Sequence, residues 1–260
     1  MPSAPSSESK YQKLKELLKR MERAVIAFSG GADSAFLARA ARDALGENAI
    51  CVSVISGVLS ARELADLRRT AQEIGTAHIE IPLDIFSVPN FGTNPSDRCY
   101  YCKKRIFELI LDYAGKHGYN YVCDGTVCDD SDTDRPGMRA LRELSISSPL
   151  KLCGIYKADI QGDKPSNSCL AARIPYGFAI TREKLKQIET AEDALFDIGL
   201  KIFRVRHHGE LARIEIAGGE LPLIQEHRHK IYERLLDCGF KYVTVDILTY
   251  EEHRQCYLTH

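Results

Sequence analysis

The chain has 260 residues, of which 44% are hydrophobic and 27% charged, enough for one large domain or two modest ones with a substantial core. A formal charge of −1 provides no bulk attraction to polyanions, so a nucleic-acid partner is not expected. No apolar run reaches the length of a membrane span. The opening MPSAPSSESK lacks the apolar stretch of a secretory signal, which gives a cytoplasmic expectation.

Residues 9–23 carry Leu14, Leu17, Leu18 and Met21 on one stripe and predict an amphipathic helix. Ala24 to Phe28 is an apolar run of strand length. It stops at Ser29-Gly30-Gly31-Ala32-Asp33-Ser34, after which a helical pattern runs to about Ala44. Residues 50–55 read as a second buried strand, and helix 60–74, strand 77–81, helix 102–116 and strand 120–123 continue the alternation. Apolar strands separated by helices predict an α/β fold, a parallel sheet covered on both faces. The texture changes after residue 175. A helix over 181–196, half-exposed strands at 201–205 and 211–216, a long helix over 220–237 and a strand at 242–248 predict a small α+β domain with an antiparallel sheet. The expected domains are residues 1–175 and 176–260.

The loop from Ser29 to Ser34 lies between the first strand and the first following helix, at the carboxyl end of a parallel strand, where such sheets bind ligands. Gly30 and Gly31 let the backbone pass close to phosphate oxygens, and the helix points its unpaired N–H groups at the same spot. Ser29 and Ser34 add hydroxyl donors. Asp33 would repel phosphate, so it either positions Mg²⁺ or caps the helix. Neither the Walker pattern nor the dinucleotide fingerprint is present. A glycine turn with a capped helix is the plainer reading, against which the loop's position weighs.

Nine cysteines, odd in number and irregularly spaced, do not suit a disulfide framework. Metal or redox chemistry by a few of them, with the rest buried as small hydrophobes, fits better. Cys99 and Cys102 form a C-x-x-C pair.

Phe28 to Ser34 resembles the SGGxDS loop of the N-type ATP pyrophosphatases, the PP-loop superfamily, which adenylates substrates with release of pyrophosphate. Further stretches narrow the resemblance: Asp97 to Lys103; Asp124-Gly125-Thr126 with Asp129-Asp130 and Arg135-Pro136-Gly137; Lys164-Pro165-Ser166 leading to Cys169 and on through Arg173 to Gly177; and Arg204 to Gly209 with Ala212 to Glu215. Together, in this order and over nearly the whole chain, they are similar to the LarE family.

That resemblance implies an ATP-dependent sulfur transferase acting on pyridinium-3,5-biscarboxylic acid mononucleotide in nickel-pincer nucleotide biosynthesis. ATP, with Mg²⁺, adenylates a substrate carboxylate, and a sulfur nucleophile then displaces AMP to leave a thiocarboxylate. Ser29, Gly30, Gly31, Asp33, Ser34, Asp124 and Gly125 match the nucleotide site. Cys169 matches a cysteine that in one branch surrenders its own sulfur. In another branch it joins a C-x-x-C pair to hold a [4Fe-4S] cluster. With Cys99, Cys102 and Cys169 all present, the cluster branch is favoured, an open iron carrying sulfide from inorganic sulfide or another sulfur donor. A sacrificial Cys169, a zinc site and structural thiols are the competing readings. Cys123 and Cys128 read as packing residues, and Cys51, Cys153, Cys238 and Cys256 as structural.

A substrate rich in carboxylate and phosphate calls for guanidinium forks. Arg204 and Arg206 alternate on one strand and share a face; both match active-site arginines of the family. Glu192 and Glu215 match acidic positions with a metal-binding or orienting role, and Arg173 is a phosphate-binding candidate. Solvated surface charge is the competing reading for each. His207 and His208 read as structural. The family's longer helical stretch before Cys169 is reduced here between Ile160 and Gln161. The second domain is expected to support a homo-oligomer. A tRNA thiolase, an ammonia-dependent amide synthetase and a nucleotide-binding regulatory module are the alternatives.

Overall fold

The computed structural model describes residues 7–130, 136–160, 168–250 and 252. Gln161 to Lys164, Pro165 and Ser166, together with Arg135 and Cys256, lie outside the described residues. Two compact units form, residues 7–91 with 97–160, and residues 92–96 with 168–252.

The first unit runs α1 (Ser7–Lys19), β1 (Ala24–Ala27), α2 (Ala32–Leu45), β2 (Ala49–Ile55), α3 (Ala61–Ile74), β3 (Ala77–Pro82), α4 (Arg98–Lys116), β4 (Tyr121–Cys123), α5 (Pro136–Glu143) and α6 (Pro149–Leu152). Its four strands pair in the order β3-β2-β1-β4, all parallel. Strand alternation sorts the apolar side chains onto two faces. Ala24, Ile26, Cys51 and Cys123 pack with Leu14 and Leu18 of α1, Leu37 of α2 and Leu67 of α3. Val25, Ile50, Val52 and Val122 pack with Phe107 and Ile110 of α4 and Met138 and Leu141 of α5. Both faces are covered, as continuous apolar strands require. Since β2 and β3 lie on one side of β1 and β4 on the other, the order reverses between β1 and β4. That reversal opens a crevice at the strands' carboxyl ends.

Local chemistry sets the helix limits. Ser60 and Glu63 form a reciprocal capping box at the start of α3, and Gly75 ends it in the left-handed conformation at φ 71°. Helix α4 begins at Arg98, four residues before the expected start, with Tyr100 N–H bonded to Asp97 O at 2.8 Å. Cys99 and Cys102 therefore both stand on helix, three residues apart and on neighbouring positions of one face.

The second unit contains a 3₁₀ turn at Leu170–Arg173, then α7 (Arg182–Phe196), β5 (Phe203–His208), β6 (Leu211–Ile216), α8 (Leu221–Glu226), α9 (Arg228–Asp237) and β7 (Tyr242–Val245). The sheet order is β5-β6-β7, with β5 and β6 antiparallel and β6 and β7 parallel. This corrects the antiparallel expectation. The helical connection between β6 and β7 returns the chain to the same end of the sheet, so the strands it joins run in one direction. The helix expected over 220–237 is two helices that meet at His227, which ends α8 and precedes α9 at φ −102°, ψ 15°. Residues 92–96 group with the second unit. Asn94 explains this: fully buried, it donates from Nδ2 to the carbonyls of Pro175 at 2.8 Å and Phe178 at 3.0 Å.

The core of this unit is Ala191 and Leu195 of α7, Phe203, Val205, Ala212 and Ile214 of the hairpin, and Ile231 and Leu235 of α9. With these residues facing the helices, the alternate positions Arg204, Arg206, Arg213 and Glu215 share the opposite face of the sheet. Among the described residues no helix is long and apolar enough to cross a membrane.

Candidate active site

The loop leaving β1 is shaped by close contacts. Gly30 has φ +76°, and a Cβ placed on it would lie 2.8 Å from Leu67 Cβ and 2.9 Å from Leu67 Cα on α3. Gly125, just after β4, would place a Cβ 2.9 Å from the backbone nitrogen of Ser34. Both glycines are thus required by packing: Gly30 brings the loop after β1 against α3, and Gly125 brings the end of β4 onto the start of α2. Ser34 Oγ donates to Gly31 O at 3.0 Å and lies 3.1 Å from Ser29 Oγ. Ser34 is buried and holds the loop's shape, while Ser29 and Gly31 are exposed. The first recorded bond of the helix runs from Ala35 N–H to Gly31 O at 2.9 Å. The amides ahead of it are the unpaired set that makes a helix start attractive to phosphate.

Around this loop stand carboxylates. Asp33 does not cap α2, whose N-cap is Gly31 without a side-chain bond. Burial raises its pKa; Lys157 opposes the rise, and Asp130 and Asp129 add to it. Lys157 is itself held by Asp130 at 3.4 Å and donates its N–H to Asp129 at 3.0 Å. Asp124 is buried, and its carboxylate accepts from the hydroxyls of Thr126 and Ser148, the latter at 2.6 Å. Ser148 was not legible in the sequence, because the register that carries it to Asp124 is a bridge between Cys123 and Ser147.

In the second unit, Arg173 is only 1% exposed and Glu192 5%. Arg173 donates from Nε and Nη2 to the two Glu192 oxygens at 2.9 and 3.3 Å, and from Nη1 to Ser168 and to the Cys169 carbonyl at 3.1 Å. Glu192 also accepts the Val205 N–H at 3.1 Å. The pair therefore ties α7, β5 and the turn after Cys169 together, with the guanidinium turned inward.

Arg204 is buried, donates to Tyr250 Oη at 3.3 Å and stands over that ring at 5.1 Å. Burial, then the charge of Arg173, lowers its pKa; Tyr250 and Glu192 oppose this, and Arg206 adds to it. Arg206 pairs with Glu215 at 2.7 Å and donates to the Ala172 carbonyl at 2.7 Å. The structure thus gathers Arg173, Arg204, Arg206, Glu192 and Glu215, named from sequence, around one turn. It adds Arg213, which meets Glu215 at 2.9 Å. Pairing outward from the hairpin's turn residues Gly209 and Glu210 sets Arg213 opposite Arg206, a signal present in the sequence and missed. His207 lies on the core side, hydrogen-bonded to Gln187 at 3.0 Å.

Cys99 and Cys102 belong to the first unit and Cys169, at the head of the 3₁₀ turn, to the second. All three are partly exposed. Among the described residues no three His, Cys, Asp or Glu side chains are gathered as metal ligands. Cys51 and Cys123 are fully buried, their thiols pushed up to about 12 by burial.

A glycine loop and a helix start stand together at the reversal point of a parallel sheet, an arrangement able to accept a phosphate group. No family model matches the chain. An uncharacterized protein of Synechocystis sp. is 37% identical over 94% of this chain and 96% of its own. The pyridinium-3,5-bisthiocarboxylic acid mononucleotide synthase of Lactiplantibacillus plantarum is 30% identical over 88% of this chain and 87% of its own. An uncharacterized protein of Methanocaldococcus jannaschii is 31% identical over 94% and 98%, respectively. The chain belongs to the LarE family, that of the L. plantarum synthase.

Two outcomes follow from this geometry. A raised pKa in the fold means that ionised Asp33 opposes folding: its contribution is favourable below the ordinary carboxylate pKa and is lost as pH rises through the raised value. Asp33→Asn should therefore stabilise the free protein at pH 7 by about 0.5 kcal/mol, a gain kept small by solvent at the half-exposed carboxyl. In urea titrations the gain should vanish below about pH 4. Glu192→Ala leaves Arg173 buried without its carboxylate and should cost about 3–5 kcal/mol in the same assay.

Proposed function

We propose that this chain uses ATP to adenylate a carboxylate of pyridinium-3,5-biscarboxylic acid mononucleotide and then replaces AMP with sulfur. In the first step the substrate carboxylate oxygen attacks the α-phosphorus and pyrophosphate leaves. In the second a sulfur nucleophile attacks the acyl carbon, the C–S bond forms, and the C–O bond to AMP breaks. The observation that carries this reading is the relationship to the L. plantarum synthase along most of both chains, joined to a phosphate-accepting loop at the sheet's reversal point.

Each residue has a defined task. The α2 amides, Ser29 and the close approach at Gly30 and Gly125 receive the pyrophosphate, an anion favoured at a helix start. Asp33 is assigned to Mg²⁺: a carboxylate beside Asp129 and Asp130 and destabilised by burial gains by facing a divalent cation. Arg204 and Arg206 are assigned to the substrate's carboxylate and phosphate groups. Arg204 is desolvated and repelled by Arg173 and Arg206, so an entering oxyanion relieves both costs.

Cys169 is assigned to the sulfur-transfer step. Cys99, Cys102 and Cys169 are the thiols that would hold a [4Fe-4S] cluster, and such a cluster would supply the transferable sulfide. Two of these thiols already share one face at the start of α4.

Incubation with ATP, Mg²⁺, sulfide and the pyridinium nucleotide should release pyrophosphate and AMP and give a product whose mass reflects replacement of oxygen by sulfur. Pyrophosphate release without that substrate, or an amide product with ammonia, would overturn the reading. Anaerobically purified protein should contain about four irons and four sulfides per chain, fewer in Cys169→Ala. Iron-free protein after anaerobic reconstitution would shift the assignment to Cys169 as a consumed donor, seen as loss of H₂S from its mass after one turnover.

A further inference from the structure

The charged face of the second unit carries a run of contacts that the assignment above leaves unused. Asp246, just past β7, meets Arg213 Nη1 on β6 at 2.8 Å. Arg213 Nη2 meets Glu215 Oε1 at 2.9 Å, and the other oxygen of that carboxylate meets Arg206 Nη2 on β5 at 2.7 Å. Arg206 Nη1 then donates to the Ala172 carbonyl at 2.7 Å, and Ala172 N–H donates to the Cys169 carbonyl at 2.9 Å. The contacts cross the whole sheet and end on the turn that bears the Cys169 thiol.

The register makes this arrangement necessary. Arg206 and Arg213 are directly opposed on antiparallel strands, where like charges destabilise. Glu215, only 1% exposed, offers one oxygen to each guanidinium and turns a repulsive pair into a bridged one. The Nε atoms of Arg206 and Arg213 and Glu215 Oε2 are buried without a hydrogen-bond partner among the described residues. Arg213 is held to Glu215 by a hydrogen bond from Nη2, and Arg206 by an ion pair at 2.7 Å together with its bond to the Ala172 carbonyl. Asp246 stands at the far end: its Oδ1 accepts the Leu248 N–H at 3.3 Å, and its Oδ2 forms an ion pair with Arg213 Nη1.

We propose that Arg213 and Asp246 are positioning residues that set Arg206, and through the Ala172 carbonyl the Cys169 turn, for the anionic substrate. Neither is assigned contact with substrate. The inference rests on the roles of Arg206 and Cys169 in the proposed function.

The test uses the full chain with Arg213→Ala, Arg213→Lys, Asp246→Asn, Arg206→Ala and the Arg206→Ala/Arg213→Ala double variant. Arg213→Ala should raise KM for the pyridinium nucleotide on the order of tenfold with KM for ATP unchanged. Arg213→Lys should recover only part, since an ammonium cannot span two carboxylates as a fork does. In the Arg206→Ala background the Arg213 change should add little, because residues acting as a unit are non-additive.

Hydrogen–deuterium exchange in the peptide over 169–174 should quicken about tenfold in Arg213→Ala and Asp246→Asn, with α7 and α9 unchanged. Fully additive losses, or unaltered exchange in that peptide in the milder Asp246→Asn variant, would overturn the inference. A wild-type chain inactive on the pyridinium nucleotide would instead sink the proposed function, and the exchange comparison would still decide the positioning role.

Discussion

Two places where backbone meets backbone control the carboxyl edge of the parallel sheet. Gly30 lies against the α-carbon of Leu67, and Gly125 lies against the first turn of α2. A side chain at either point would force α3 or β4 away and spread the crevice between β1 and β4. The strand end is pinned as well: Ser53 Oγ donates to the Phe28 carbonyl at 2.6 Å and meets His78 Nε2 at 2.9 Å. The loop proposed to accept phosphate is therefore part of the sheet–helix packing, which fixes its backbone without a ligand. Such preorganisation is where an enzyme of this type gains most, because the donors need not reorganise as charge develops.

The second unit meets a different constraint, which is charge taken out of water. Arg173, Arg204, Arg206 and Arg213 share a small volume with Glu192, Glu215 and Asp246. Burying such groups is costly, and ion pairing offsets the cost here even where Arg206 Nε, Arg213 Nε and Glu215 Oε2 lack hydrogen bonds among the described residues. Arg173 meets this with two bonds to Glu192 and further ones to the Ser168 and Cys169 carbonyls. The same bonds that make the arginine tolerable fix the turn at Cys169, so structural and positioning roles coincide. Four arginines against three carboxylates leave positive charge in excess, suited to a polyanionic substrate.

The first unit was legible because its strands are apolar on both faces and its helices start and stop on chemical signals such as Ser60, Glu63 and Gly75. The carboxyl-end rule for parallel sheets then placed the loop. What escaped was set by pairing between distant segments. The second sheet was expected to be antiparallel because strand alternation reports burial on one face and says nothing of direction; the helical crossover to β7 decides that. Arg173 and Glu192, read as a phosphate-binding candidate and a metal or orienting acid, are buried partners, a fact carried by the packing of α7 on the turn and by no local pattern. Residues 92–96 join the second unit through Asn94, whose three-dimensional role has no signature beyond its type.

The cysteines show how environment, and not count, selects chemistry. Cys51 and Cys123 are shut inside the sheet, and burial raises their pKa so far that the thiolate is scarcely formed near neutral pH. Cys153 is buried with its pKa raised by the same cause. Cys99, Cys102 and Cys169 are spared that burial. Cys99 lies 3.9 Å from the Arg98 guanidinium, and the first pair stands at a helix start. Burial thus sets Cys51, Cys123 and Cys153 apart, while Cys128 and Cys238 are as partly exposed as Cys99, Cys102 and Cys169; what distinguishes the last three is their place at a helix or turn start together with the family resemblance.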